Sequence, residues 1–149
     1  MKKKQTTVLE YIVTYLLWLV TVSVSVLVAL VLREVIVEFG ALTGWSRYTV
    51  GIVSQFSAVQ LGLSVLAILI ITEGLYRTGV QRGQLLIRFC HWTGILLAIV
   101  GLAHLLSIGY RWQNSVVVDP LTPRLAFVEI GGAVILLWWR RIIRLRSGS

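Results

Sequence analysis

The chain has 149 residues, 57% hydrophobic and 13% charged, with net charge +8 and mean hydropathy +0.86. A soluble domain of this size needs about a quarter of its residues charged to cover its surface, so composition argues against a soluble fold. The basic residues flank apolar stretches, at Lys2-Lys3-Lys4, at Arg77 and Arg82, and at Arg140, Arg141, Arg144 and Arg146. That placement favours anionic lipid headgroups as partners and argues against nucleic acid. Cys90 is the sole cysteine, which excludes an intrachain disulfide and a thiolate metal cluster.

The first predicted span covers residues 8–32. Its apolar run, Tyr11 to Leu32, exceeds the roughly 7–15 residues of a signal-peptide core, so it reads as a retained helix. The helix is expected to continue past Glu34 and Glu38 to Phe39, with Gly40 and Gly44 as its breakers. Segment 33–48 then forms an interfacial connection, its Phe39, Trp45 and Tyr48 supplying an aromatic belt. The second span covers 49–72, and a short polar turn, 73–84, carries Arg77 and Arg82. The third covers 85–108, and 109–124 is expected to be irregular, with Asn114, Asp119, Pro120 and Pro123. The fourth covers 123–143, with Pro123 in the first turn, where its missing N–H costs nothing. Its apolar core, Leu125 to Trp139, is short and gains length from Ile142 and Ile143 while the arginines snorkel. Lys and Arg at the two termini place both in the cytoplasm, together with the 73–84 turn. The expected fold class is an all-α, integral membrane four-helix bundle, a single membrane domain over 1–149, multi-pass in the cell membrane.

In a bilayer, helices associate through small residues and hydrogen bonds, so these map the contacts. At about 100° per residue, Cys90, Gly94, Leu97, Gly101, His104 and Ile108 form one stripe on the third helix. Thr14, Trp18, Thr21, Ser25 and Ala29 share a face of the first. The second helix has two such faces. Gly51, Ser54, Gln55, Ala58 and Gly62 fall on one side, and Ser57, Gln60, Ser64 and Ala67 on the other. It is therefore expected to be sandwiched, centrally in the fold or between this chain and a partner.

Gln55, His104 and Glu129 all fall roughly 6–9 Å below the outer interface. Glu129 shares its face with Ala126, Gly132, Ala133 and Leu136. An ionisable side chain inside a membrane helix is a functional candidate by default, so these three form a candidate polar layer. The competing reading is a hydrogen-bonded clasp that fixes helix register. His91 lies near the cytoplasmic end, roughly 220° around the helix from His104, on a side with Arg88 and Trp92. Two divergent histidines, with Met1 the sole methionine, argue against a bis-His haem within one chain. No metal site is expected beyond His104 as a single ligand.

Ala103-His104-Leu105-Leu106, followed by Tyr110-Arg111-Trp112, resembles the end of the β-polypeptide helix of bacterial light-harvesting complexes. Members of that family cross the membrane once, and Trp112 stands where they have proline. The resemblance implies that His104 would coordinate the magnesium of a bacteriochlorophyll. The four-span layout, with an acidic residue after the first span, also resembles the phosphate-starvation-inducible PsiE family, without the charged positions of that family's second and third spans.

No nucleophile elbow, HExxH or Gly-rich phosphate loop is present, so no enzyme activity is expected. The expected function is a non-catalytic accessory or assembly subunit of a larger membrane complex, its partners being lipid and other membrane subunits or further copies of itself. One alternative is a small oligomeric channel or transporter with Gln55, Gln60 and Glu129 lining the path. The other is tetrapyrrole binding, as pigment or haem, through His104.

Overall fold

No proline occurs before Pro120, and long runs of Leu, Ile and Val leave little to end a helix except glycine at a turn. The computed structural model describes residues 8–147 and shows four helices: α1 Val8–Leu42, α2 Arg47–Gln81, α3 Leu85–Gln113 and α4 Leu121–Ser147. Each is long and apolar enough to cross a membrane. The protein is an all-α, multi-pass membrane protein.

The connections are shorter than the sequence implied. Segment 33–48 is mostly helix, leaving 43–46 as the turn, where Gly44 takes φ +79° and Ser46 caps α2 by accepting from the Thr49 amide at 3.1 Å. The 73–84 segment continues α2 to Gln81, and Gly83 at φ +66° reverses the chain. The 109–124 segment is irregular only over 114–120. Polar composition marks where helices leave the hydrocarbon, not where they stop. At 1.5 Å per residue α1 and α2 are each roughly 52 Å long, against a core of about 30 Å, so both project well past it.

Side-chain contacts set the directions. Trp18 Nε1 donates to the Leu69 carbonyl at 3.3 Å and Arg33 to Ser54 Oγ at 2.9 Å, pairing α1 and α2 antiparallel. Thr21 meets Thr93 and Glu38 meets Ser107, so α3 runs parallel to α1. Gly101 faces Ile130, Gly94 faces Leu137 and His91 faces Arg140, so α4 runs antiparallel to α3. Val28 and Val31 of α1 pack with Leu96, Val100 and Ala103 of α3, and Ile68 of α2 lies against them.

The order of neighbours corrects one expectation. α1 and α3 occupy the middle, α4 packs on α3 alone, and α2 packs on α1 and, less extensively, α3. Thus α2 is an edge helix and is not sandwiched within the fold. Gly51, Gln55, Ala58, Gln60, Gly62, Ser64 and Ala67 are exposed, while Ser57 turns inward. A Cβ at Gly51 or Gly62 would meet nothing within 4 Å, so neither glycine packs a helix of this chain. Gly94 and Gly101 do. A Cβ at Gly101 would stand 2.5 Å from Ile130 Cγ1 and 3.3 Å from the Ile130 amide nitrogen.

Candidate functional site

The close approach of α4 at Gly101 has a local consequence. With Ile130 seated on Gly101, the preceding residue of α4, Glu129, comes level with His104, one turn further along α3. His104 Nδ1 lies 2.7 Å from Glu129 Oε2, with the two side chains 16% and 10% exposed. Ala126 and Ala133, a turn to either side of Glu129, are buried, so the small-residue face of α4 is the one against α3. A carboxylate only accepts, so opposite an ionised Glu129 the Nδ1 position carries a proton and the lone pair of a neutral imidazole is on Nε2. Nε2 has no partner among the described residues.

Gln55 does not join this pair. It is exposed on α2, which makes no contact with α4. Depth along a helix is legible from counting, but which helices are neighbours is not. Among the described residues no group of three or more His, Cys, Asp or Glu is placed to hold a metal ion. His104 could therefore offer one nitrogen to a group that brings its own remaining ligands.

Two further polar clusters were not singled out from the sequence. Near the C-terminal end of α3, Glu38 of α1 accepts from Ser107 Oγ at 2.7 Å and from Arg111 Nε, both of α3. Beside them a cavity of about 340 Å3 is walled by Phe39, Trp45, Leu106 and Tyr110. The signal was present, since Glu38 follows buried Val31 by seven residues, two helical turns on the same side. At the other end Thr21 Oγ1 lies 2.7 Å from Tyr76 Oη and 2.9 Å from Thr93 Oγ1, joining α1, α2 and α3 at one buried point. Tyr76 was hidden from sequence reading because it falls in the segment expected to be a turn. Nearby, Arg88 of α3 donates to the Leu75 carbonyl and to Thr78 Oγ1, supplying a cation and a donor near the C-terminal end of α2.

No family model, no curated protein and no solved structure matches this chain. The local likeness around His104 and the four-span likeness remain resemblances and assign no family.

Proposed function

We propose that this chain is a small, non-catalytic accessory subunit that joins other membrane helices through α2. The observation that supports the reading is Gln60. It lies thirteen residues after Arg47 and seventeen before Arg77, roughly 20 Å and 26 Å along the helix, and hence well inside the hydrocarbon. It is exposed, and its amide has no hydrogen-bond partner among the described residues. An unpaired amide in an apolar environment costs about 1–3 kcal/mol by protein mutational data, and membrane helices avoid that cost by bonding across to a neighbour. Ser64, Ala67 and Gly74 lie on the same side as Gln60 and leave room for a backbone to approach. Gln55, with Gly51, Ala58 and Gly62, forms a second open side.

A photo-crosslinking residue at Ala67, activated in native membranes, should give a defined adduct with another polypeptide. The same probe at Val134, on the lipid-facing side of α4, should give none. Absence of an adduct from Ala67, or equal labelling from both positions, would reject the reading.

A tetrapyrrole reading is favoured by one specific feature, the imidazole of His104 fixed through Nδ1 with Nε2 unpartnered, the arrangement in which a carboxylate orients a metal-ligating histidine. Protein purified in mild detergent would then show a Soret or long-wavelength band that His104→Leu removes. A pore lined by Gln55, Gln60 and Glu129 has less support, since Glu129 faces α3 and α2 does not touch α4.

A further inference from the structure

The end of α4 beyond its tryptophans is chemically distinct from the rest of the surface. Trp138 and Trp139 are 64% and 56% exposed, as side chains at the headgroup level of a bilayer are. Immediately after them Arg140, Arg141 and Arg144 fall within an arc of about 100° on the helix. Together with Leu137 they line a surface recess of about 240 Å3. Arg140 donates through Nη1 to His91 Nδ1 at 2.8 Å, which fixes one guanidinium at the α3 edge of the recess against a neutral acceptor.

Among the described residues, α3 and α4 hold little negative charge near the recess. α4 packs on α3 alone, and α3 contains no Asp or Glu. The nearest carboxylate on α4 is Glu129, eleven residues from Arg140, roughly 16 Å along the helix, and it faces His104. α3 instead adds Arg88 at this end, bonded to neutral acceptors of α2.

We propose that this recess binds the phosphodiester of an anionic phospholipid. Arg140, Arg141 and Arg144 would clamp its oxygens, and Leu137 would receive the glycerol and the first acyl carbons. Guanidinium is the cation suited to this, because its planar fork of donors matches two phosphate oxygens at once. The adjoining aromatic belt decides for a lipid over a dissolved anion, since it puts the recess at the depth where lipid phosphates lie.

The test uses the full-length protein in nanodiscs and in detergent, with native mass spectrometry counting retained lipid. Wild type should retain phosphatidylglycerol over phosphatidylcholine at equal mole fraction. Arg141→Gln/Arg144→Gln should weaken that retention about tenfold, as expected for the loss of charge-assisted forks. Arg141→Lys/Arg144→Lys, which preserves the charge, should still lose most of the preference. Unfolding temperatures in pure phosphatidylcholine check that both variants are folded, and Arg124→Gln, at the far end of α4, should behave as wild type. Retention unchanged in both double variants would overturn the site, as would equal retention of the two lipids by wild type. Displacement of phosphatidylglycerol by millimolar inorganic phosphate would overturn the lipid assignment in favour of a soluble phosphate.

Discussion

His104 Nδ1 and Glu129 Oε2 stand 2.7 Å apart across the interface between α3 and α4, and α4 touches no other helix of the chain. The pair is therefore placed to set the register of α4 as well as to orient an imidazole. Removing one partner strands the other in an apolar contact, while removing both leaves only a packing change. His104→Leu is expected to destabilise the protein by about 1–2 kcal/mol, and adding Glu129→Leu should recover part of the loss. A double-mutant cycle of thermal unfolding in detergent measures the coupling, and visible spectra at each corner separate a clasp from a ligand site. Strict additivity would mean that the contact carries no energy.

The glycines of the candidate packing faces should divide sharply. Gly101→Ile inserts atoms where a Cβ already lies 2.5 Å from Ile130, so α4 must move away, with an expected loss of about 1–3 kcal/mol or more. Gly62→Ala meets nothing within 4 Å and lies in an exposed helix interior, so it should be neutral or gain up to about 1 kcal/mol in the isolated chain. In native membranes the same Gly62 change would disturb assembly if a partner backbone approaches there. Unfolding of purified protein and complex recovery from membranes give the two answers separately.

The three-helix node predicts an order of severity. Tyr76→Phe removes one donor and should cost about 0.5–1.5 kcal/mol. Thr21→Val removes the atom that both Tyr76 and Thr93 approach and should cost more, about 1–3 kcal/mol. Detergent unfolding that ranks Tyr76→Phe as the worse variant would place the centre of the node elsewhere.

Sidedness is tested with cysteines at Gln84 and Val117 in a Cys90→Ser background. Both positions are exposed, in connections at opposite ends of α3. A membrane-impermeant thiol reagent should label 84 from the cytoplasmic side and 117 from the other. Labelling of both from one face would be incompatible with four crossings.

The four spans, and the inward side of three helices, were readable from residue order alone. Thr14, Thr21 and Ser25 turn inward on α1, Gly94 and Gly101 on α3, and Ala126, Glu129 and Ala133 on α4. The reason is that bilayer span length and the 3.6-residue period are local properties, carried by each helix without reference to the others. Neighbours are not local. Several helices here carry small and polar stripes, and lipid tails are as apolar as leucine, so burial of hydrocarbon does not select one pairing over another. Packing summed along whole interfaces made that selection. It put α1 and α3 in the middle, left Gln55 and Gln60 on an outer helix, and brought Glu38 to Ser107 and Arg111. Tyr76 was concealed for a different reason. The polar composition around it fits a turn and a helix leaving the membrane equally well, and only its contact with Thr21 distinguishes the two.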